Sequence, residues 1–424
     1  MSALRFNTLD EWLSWQESLH PLTIELGLDR VTTVAERLGV RRPACPVITV
    51  AGTNGKGSTV ALLEAMLLAA GYRTGCYTSP HLLRYNERVR LAGEVAADEA
   101  LCESFARIDA ARGDISLSYF EFGTLAALDI FARNAVDVIV LEVGLGGRLD
   151  AVNLVDCDVA VVTSIGTDHQ DWLGQGREAV GREKAGIFRA GRPAVCADPQ
   201  PPESIAAVAE AQGARLLQVG RDFTISAEAD AWHCVETGGP AVQLPYPALE
   251  GAAQLYNAAA AVIALRMLAE RLPVPEAAIR QGLQAVRLAG RFQKIHDAPQ
   301  AWVDVAHNPE SAAQLARLLA ERQTGAGETH AVFAALGDKD IEGIVTALTG
   351  RVAHWHLATL DTPRALAVDE LARRVGGALP AADLHPYATV SDAWAGALRA
   401  AAPQDCIIVF GSFLTVAEAL ALRL

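Results

Sequence analysis

The segment Val50–Thr59 holds the residues of this sequence that are best suited to chemistry. It reads V-A-G-T-N-G-K-G-S-T, with three glycines in six positions. Closely spaced glycines let the backbone bend until successive N–H groups point at one phosphate, and the N-terminus of a following helix adds partial positive charge there. Lys56 can then reach the β- and γ-phosphates, and the Ser58 or Thr59 hydroxyl can approach a magnesium ion. The pattern predicts a P-loop, although Gly57 departs from the standard spacing. A glycine-rich turn without a ligand is the alternative.

Three further polar residues end or follow predicted apolar strands and are candidates for metal binding. They are Ser79, Glu142 and His169. In doubly wound α/β sheets, ligands bind at the edge formed by the carboxyl ends of the strands. A carboxylate buried at that edge needs a cation to offset its desolvation. The sequence therefore predicts a magnesium site beside the P-loop, while a structural role is the alternative for His169 taken alone.

Other polar residues have both a structural and a functional interpretation. Asp29 and Arg30 begin a predicted helix, where a solvated helix cap is the structural interpretation. The segment Ser118–Glu121 either caps a helix or lines a pocket for a flat heteroaromatic ring. Asn257 either contacts an adenine or caps its helix. Lys184 lies on a mostly polar helix, which favours an ordinary solvent-exposed charge.

Three more candidates lie in the last third of the chain. Arg291 lies in the segment R-L-A-G-R-F-Q, while Asp304 and His307 belong to D-V-A-H-N-P at the end of a predicted strand. Each is weak alone, because Asp and Asn near a proline are ordinary turn residues. Their chemistry becomes specific only in combination with the motifs of the first two thirds.

Composition bounds the class of protein. The chain has 424 residues, of which 51% are hydrophobic, and a formal charge of −14. The length favours two domains, and the acidic balance argues against nucleic acid as a partner. No apolar run is long enough to predict a membrane span. The seven cysteines lack C-x-x-C spacing, and M-S-A-L-R-F lacks an apolar signal core, so a reducing cytoplasm is expected.

Strands and helices alternate along the chain, which predicts an α/β fold in two domains. We expect a P-loop domain over residues 1–286, a linker over 287–297 and a smaller, Rossmann-like domain over 298–424. A small antiparallel meander is expected over 223–244. The P-loop helix is expected to begin at Thr59, and the helix containing Asn257 to end at Arg271. The strands predicted for the second domain are Trp302–Val305, His330–Leu336, His354–Thr359 and Ile407–Phe410.

Taken together, these motifs occur in the order of one family. They are Val50–Thr59, Thr78–His81, Leu141–Asp150, Asp168-His169, Glu183–Phe188, Gly290–Phe292, Asp304–Pro309 and Gly337–Asp340. The chain resembles the bacterial bifunctional dihydrofolate synthases/folylpolyglutamate synthases, which are relatives of the Mur ligases. The resemblance extends from Ile24 to Phe413, and the glycine loop, unusual for a P-loop, is normal for this family.

The resemblance implies a three-layer P-loop ATPase domain, a C-terminal domain and ATP in the cleft between them. The implied phosphate- and nucleotide-binding residues are Asn54, Gly55, Lys56, Gly57, Ser58, Asn257, Arg291 and Asp304. Ser79, Glu142 and His169 would serve Mg²⁺, with a monovalent cation as a further ion. The implied dihydropteroate pocket comprises Gly27, Leu28, Asp29, Arg30, Ser118, Tyr119, Phe120, Glu121, Leu149, Asp150 and Ala151. Lys184 matches a lysine that is carbamylated in relatives.

The expected reaction joins L-glutamate to dihydropteroate and to reduced folates in a monomeric enzyme. Because oxide is a poor leaving group, ATP first converts the carboxylate to an acyl phosphate, and Lys56 neutralises charge on the transferred group. The glutamate amine then displaces phosphate. His307 is a candidate for orienting glutamate or accepting its proton, and a structural role is the alternative.

Two rival functions share the P-loop. Another Mur-type ligase would accept a different acyl substrate, against which the segments 24–30 and 118–121 argue. A nucleotide-hydrolysing switch protein would give no role to Arg291 or Asp304.

Overall fold

The chain folds into two compact units, seen in a computed structural model that describes residues 5–22, 25–322 and 327–422. The first unit comprises the described residues up to His81 together with Tyr85–Ala248 and Gln254–Val286. The second comprises Leu82–Arg84, Leu249–Ala253 and the described residues from Arg287 onward. Two short segments that the sequence division assigns to the first domain therefore belong to the second unit. Ile24, where the family resemblance begins, lies outside the described residues.

The first unit contains a large sheet, a small sheet and their helices. Its strands are β1 Val47–Ala51, β2 Thr74–Tyr77, β3 Val89–Leu91, β4 Glu94–Val95, β5 Val138–Glu142, β6 Val159–Val162, β7 Pro193–Cys196, β8 Arg215–Gln218, β9 Phe223–Ala227, β10 Trp232–Glu236 and β11 Ala241–Leu244. Its helices are α1 Leu9–Leu19, α2 Asp29–Leu38, α3 Lys56–Ala69, α4 Asp98–Arg112, α5 Tyr119–Arg133, α6 Gln170–Leu173, α7 Gly176–Ala185, α8 Glu203–Gln212, α9 Ala253–Met267 and α10 Glu276–Ala285. Short 3₁₀ helices span Tyr85–Arg88 and Ala151–Leu154.

The eight-stranded sheet has the order β4-β3-β2-β5-β1-β6-β7-β8 and is parallel except for β3 and β4 at one edge. The central strands β1, β5 and β6 read VITVA, VIVLE and VAVV and are buried throughout, as expected for a sheet covered on both faces. Helices cover both faces of the sheet, as two successive residues of β2 show. Gly75 packs against Phe131 of α5 on one face, and Cys76 interacts with Glu64 of α3 on the other. The three-layer P-loop architecture is confirmed, and so is the antiparallel meander, in the order β11-β10-β9.

The second unit is also a three-layer α/β structure. Its strands are β12 Gln293–Asp297, β13 Gln300–Val303, β14 Thr329–Phe333, β15 His354–Ala358, β16 Asp383–Tyr387 and β17 Cys406–Phe410. Its helices are α11 Pro309–Arg322, α12 Ile341–Ala347, α13 Val368–Ala378, α14 Val390–Ala400 and α15 Phe413–Ala421. The sheet order is β12-β13-β17-β14-β15-β16, and only β12 runs antiparallel to its neighbour. One core packs the sheet against α11, α12 and α13, and another packs it against α14 and α15.

Several element boundaries differ from the sequence prediction. Helix α3 begins at Lys56, three residues earlier than predicted, and α9 ends at Met267 rather than Arg271. Strand β12 lies within the predicted linker, and β16 was not predicted. Both strands are at sheet edges, and their sequences QKIHD and DLHPY are polar or contain proline. Pairing with one neighbour, not local propensity, makes them strands.

The structure has no membrane-crossing helix within the ranges it describes, since none there combines the necessary length with sufficient apolar character.

A buried carboxylate ties α4 to α5. Asp129 accepts hydrogen bonds from Ser104 Oγ at 2.5 Å, Arg107 Nε at 2.9 Å and Arg133 Nε at 3.1 Å, and only 1% of its side chain is exposed. Arg133 also pairs with Glu103, whose side chain is 63% exposed. The same arginine therefore has one buried and one exposed acidic partner.

We predict that Asp129→Asn destabilises the protein by about 1.5–3 kcal/mol, because the variant removes the charge of a buried carboxylate that accepts hydrogen bonds from two arginines and a serine. Glu103→Gln is the matched control and should cost about 0.5 kcal/mol or less, since water screens the exposed pair. Urea unfolding followed by circular dichroism measures both. Equal effects of the two substitutions would contradict the role given to burial.

Candidate active site

The end of β6 holds the glycine loop between β1 and α3. Thr163 Oγ1 and Ser164 Oγ donate to the carbonyl of Asn54 at 2.7 and 3.0 Å, and Thr53 N donates to the carbonyl of Ser164 at 2.7 Å. Gly52 has φ +152°, and a Cβ there would lie 1.8 Å from Thr163 Oγ1, so only glycine fits. Thr163 and Ser164 are not among the site residues predicted from the sequence. Two adjacent hydroxyl residues directly after the apolar run of β6 are the pattern that could have identified them.

Two lysines from different helices converge on the carbonyl of Gly52. Lys56, the first residue of α3, donates to it through Nζ at 3.1 Å and to the carbonyl of Thr53 at the same distance. Lys184, in the last turn of α7, donates through its own Nζ at 2.8 Å. Gly57 and Ser58 lie in the first turn of α3, with Ser58 buried. The predicted phosphate-binding loop therefore has two amines at its base.

Lys184 is not a solvent-exposed charge, so the interpretation that its polar helix favoured is wrong. The residue is only 4% exposed. Val180 precedes it by one helical turn, and the two lie on the buried face of α7. Burial first, and then the nearby Lys56, lowers the pKa of Lys184 to about 7. A substantial fraction of Lys184 is therefore a neutral amine at neutral pH.

The predicted metal ligands lie where the parallel strands end. Tyr77 of β2 pairs in register with Leu141 of β5, which places Ser79 beside Glu142, and Ser79 N donates to Glu142 Oε2 at 3.2 Å. Glu142 is 5% exposed. His169 follows β6 with φ +56° and an exposed side chain whose Nε2 lies 3.9 Å from Asp168 Oδ2. A carboxylate and a hydroxyl suit Mg²⁺, which prefers oxygen ligands.

Three segments predicted to form a substrate pocket meet in the first unit. Gly27 N donates to the carbonyl of Leu149 at 3.2 Å, and Arg30 Nη2 lies 3.3 Å from both carboxylate oxygens of Glu121. Glu121 also forms a reciprocal cap with Ser118, so the helix-cap interpretation is confirmed, and the pocket-lining interpretation stays a prediction. Arg30 is not a solvated cap, because it pairs with Glu121 and with Glu25.

Asp29 differs from the other residues predicted to form the substrate pocket. It is the first residue of α2, where no side chain caps the helix, and it is exposed. Together with Leu28, Asn153 and Arg189 it lines a groove of about 590 Å³. The structure therefore does not place the Asp29 side chain with Arg30 and Glu121.

Aromatic rings and a buried acid complete the same region. The Phe120 ring lies 5.8 Å from that of Tyr77, and the Arg88 guanidinium lies 5.6 Å above the Tyr119 ring. Asp150 accepts from Leu145 N at 2.8 Å and from Val152 N at 3.0 Å. Burial nevertheless raises the pKa of Asp150 to about 7. Ala151, also buried, begins the 3₁₀ helix that follows.

Asn257 does not cap its helix, because it lies a full turn inside α9. Its Nδ2 donates to Gln254 Oε1 at 2.9 Å. Its Oδ1 would lie 2.4 Å from a Cβ at Gly55, so the amide packs directly against the glycine loop. This contact supports the functional interpretation of Asn257.

In the second unit, Asp304 organises the segment that contains Arg291. Its carboxylate accepts from Phe292 N and Ala306 N, both at 2.8 Å. Burial raises the pKa of Asp304, although Arg291 opposes the shift. The Arg291 guanidinium lies 5.4 Å above the Phe413 ring, and the His307 ring is 6.0 Å from the same ring. The His307 Nδ1 donates to the carbonyl of Val305 at 2.8 Å.

Comparison with known proteins identifies the family. The Mur ligase middle domain matches residues 50–265, and the glutamate ligase domain of Mur ligases matches residues 290–413. The dihydrofolate synthase/folylpolyglutamate synthase of Escherichia coli K12 is 47% identical over 411 residues, which cover 97% of this chain and 94% of that protein.

Solved structures agree with the sequence match. Escherichia coli FolC in complex with DHPP and ADP is 45% identical, has a TM-score of 0.93 and covers 99% of each chain. A bifunctional folylpolyglutamate synthase/dihydrofolate synthase with Mn, AMPPNP and L-glutamate bound is 48% identical, has a TM-score of 0.91 and covers 100% of each chain. With the predicted α/β fold and glycine loop in place, the chain belongs to the bifunctional dihydrofolate synthase/folylpolyglutamate synthase family of ATP-dependent Mur-type ligases.

Proposed function

We propose that this protein uses ATP to join L-glutamate to dihydropteroate, giving dihydrofolate, and to the γ-carboxylate of reduced folates, giving folylpolyglutamates. In both reactions the acceptor carboxylate takes the γ-phosphoryl group of ATP to become an acyl phosphate. The glutamate amine then attacks the acyl carbon, forming the amide and releasing phosphate. The convergence of Lys56 and Lys184 on the glycine loop is the observation that carries this proposal.

Lys56 is the proposed phosphoryl-transfer residue. Its Nζ now bonds the carbonyls of Gly52 and Thr53, which hold it at the base of the loop. When phosphates occupy the loop, this ammonium exchanges a carbonyl for phosphate oxygens and balances the charge of the transferred group. The loop N–H groups from Asn54 to Ser58 orient the phosphates.

Ser79, Glu142 and His169 are the proposed ligands for Mg²⁺. The ion supplies charge neutralisation at the phosphates when it is bound. The bond from Ser79 N to Glu142 Oε2 orients that carboxylate at the sheet edge. A monovalent cation remains a prediction from the family resemblance.

The pterin pocket is proposed to lie among Gly27–Arg30, Ser118–Glu121 and Leu149–Ala151. Arg30 Nε is buried and has no hydrogen-bond partner among the described residues, which suits it to an acceptor on the substrate. Asp150, with its pKa near 7, can present a protonated or an ionised oxygen to the heterocycle. The Phe120 ring offers a flat apolar surface.

Asn257, Arg291 and Asp304 are proposed to hold the nucleotide. Asp304 acts by fixing the backbone just after Arg291, through Phe292 N, and its own segment, through Ala306 N. His307 is proposed to orient glutamate or accept its proton at Nε2, because Nδ1 already donates to the Val305 carbonyl.

Lys184 is proposed to act as a carbamate. The neutral amine reacts with CO₂ to give the carbamate and one proton, and the lowered pKa makes that amine available near pH 7. Carbamylation would turn the buried side chain of Lys184 from a cation into an anion, and the carbamate oxygens would attract magnesium. Burial against Gly52 confines this group to the glycine loop.

A cytoplasmic monomer is the proposed form of the protein. The free thiols of all seven cysteines support a reducing compartment.

A coupled assay of ADP release tests the reaction. We expect glutamate-dependent turnover with dihydropteroate and with tetrahydrofolate, and little turnover without a pterin substrate. ATP hydrolysis that ignores both glutamate and pterin would instead indicate a switch protein, and activity only with a nucleotide-linked peptide would indicate a different Mur-type ligase.

Lys56→Ala should lower kcat by about 100-fold or more, because the transferred phosphoryl group loses a charge that no other side chain of the loop supplies. Steady-state kinetics with dihydropteroate measures the loss. Lys294→Ala removes an exposed lysine and should leave kcat unchanged. A Lys56→Ala enzyme with most of its turnover would refute the P-loop assignment.

Lys184→Ala should lower turnover far more than the melting temperature, and added acetate should partly restore turnover by replacing the carbamate. For the unsubstituted enzyme depleted of CO₂, bicarbonate should raise activity at pH 8 but not at pH 6. The sign follows from the lowered pKa of Lys184: above about 7 the reactive amine prevails, and below it the ammonium does. Full activity of the alanine variant would show that no carbamate is needed.

Asp304→Asn should raise KM for ATP about tenfold or more, because an amide cannot accept both backbone N–H bonds and the Arg291 segment shifts. Asp369→Asn, at an exposed position of α13, is the control. KM for ATP is measured with saturating dihydropteroate. An Asp304→Asn enzyme whose KM matches that of the control would remove Asp304 from the nucleotide site.

A further inference from the structure

Four histidines of the second unit lie on one face of three neighbouring parallel strands. His330 of β14 pairs in register with His354 of β15, and His356 of β15 pairs with His385 of β16. Asp383 pairs with His354. Residues two apart on a strand point to the same face, so these side chains form one layer. They occupy the first three residues of each strand, whereas Asp304 follows the carboxyl end of β13.

Three of these side chains converge on one point. His354 Nδ1 lies 2.8 Å from Asp383 Oδ2, and His385 Nε2 lies 2.9 Å from the same oxygen. The three ligand atoms all lie within 4.8 Å of one another. Around a tetrahedral zinc ion, with bonds of about 2.0–2.2 Å, neighbouring ligand atoms are roughly 3.3 Å apart. Separations of 2.8 and 2.9 Å to Asp383, with no separation above 4.8 Å, bracket this value, so the three atoms are close enough to bind one ion after side-chain adjustment.

Glu328 orients the imidazole of His354 through the ring nitrogen that faces away from Asp383. It accepts a hydrogen bond from His354 Nε2 at 2.9 Å. A proton held on Nε2 leaves the lone pair of a neutral imidazole on Nδ1, which is the nitrogen that faces Asp383. A carboxylate bonded to the far nitrogen of a histidine ligand is the usual support of a metal-binding imidazole.

The two remaining histidines are buried behind this point and have other partners. His330 Nδ1 lies 3.2 Å from His356 Nε2, and His356 Nδ1 lies 3.3 Å from the Tyr387 hydroxyl. These contacts engage Nδ1 of His330 and both ring nitrogens of His356, so neither residue is counted among the candidate ligands.

We propose that His354, Asp383 and His385 form a binding site for a transition-metal ion of the zinc class, separate from the magnesium site that serves ATP. Two imidazole nitrogens and one carboxylate oxygen favour Zn²⁺ over Mg²⁺, which prefers oxygen ligands and keeps its water. A water molecule would supply the fourth ligand. The partly exposed side chains of His385 and Asp383 leave a route for the ion.

A metal ion at this site would stabilise the edge of the sheet. β16 is an edge strand paired only with β15, and it contains Pro386, which cannot donate to the ladder. A metal ion that joins His354 of β15 to Asp383 and His385 of β16 would hold this strand in register. Binding to the folded state alone raises thermal stability.

Zinc titration of the full chain tests the site. Metal-stripped protein is saturated with Mg²⁺ and a non-hydrolysable ATP analogue, so that the nucleotide-associated metal site is filled, and is then titrated with ZnCl₂ by calorimetry. We expect one Zn²⁺ per chain with a Kd below about 10 µM. The melting temperature should rise by about 2 °C or more at saturating zinc. Replacement of Zn²⁺ by Co²⁺ should give the visible absorption of a four-coordinate ion.

Substitutions assign the site. His354→Gln, Asp383→Asn and His385→Gln should each weaken zinc binding by about tenfold or more and abolish the cobalt spectrum, and Glu328→Gln should weaken binding by about tenfold through the tautomer of His354. His233→Gln, in the first unit, is the matched control and should bind zinc normally. Circular dichroism confirms that each variant is folded.

The cluster would instead be a hydrogen-bonded group, with Asp383 accepting from two histidines, if the unsubstituted protein shows no saturable zinc binding. Binding that survives His354→Gln and His385→Gln unchanged would equally overturn the site. Ligase activity plays no part in these measurements, so their outcome is independent of the proposed reaction.

Discussion

The carbonyl of Gly52 is the point on which the ATP-binding half of this protein depends. It accepts from both Lys56 and Lys184, although two ammonium groups at one buried carbonyl repel each other and lose hydration. The molecule relieves this cost through Lys184, whose pKa falls to about 7. The tight bend at Gly52, against Thr163, is what presents the carbonyl to both amines. The loop thus gathers two amines at one carbonyl, and burial lowers the pKa of one of them, Lys184, to about 7.

The two units share a second device, a buried aspartate that holds backbone amides. Asp150 accepts from Leu145 N and Val152 N, and Asp304 accepts from Phe292 N and Ala306 N. Burial raises the pKa of both acids even though these bonds favour the charged form. Each acid thereby fixes the path of a loop that carries neighbouring site residues. A loop fixed in this way needs little further ordering when its ligand binds.

The second unit places two groups of polar side chains at different positions along its strands. Asp304 and His307 follow the carboxyl end of β13, where ligands of parallel sheets usually bind. The histidine layer lies in the amino-terminal halves of β14, β15 and β16 and includes an edge strand. Substitutions at the histidine layer can therefore probe the stability of this unit without changing residues assigned to the reaction.

The sequence by itself determined the fold class, the family and the glycine loop. These depend on local patterns: the apolar runs of β1, β5 and β6, and glycines and a lysine at fixed spacing. It could not decide features that arise between distant segments. The exposure of Lys184 was misjudged because a polar helix hides which face packs, and β16 was missed because its pairing with β15 outweighs its own propensity. The Gly52 carbonyl shared by two lysines, the Arg30–Glu121 pair and the meeting of His354 with His385 join residues far apart in the chain. Only tertiary packing sets such distances, and with them the desolvation and Coulomb energies that shift a pKa or shape an ion site.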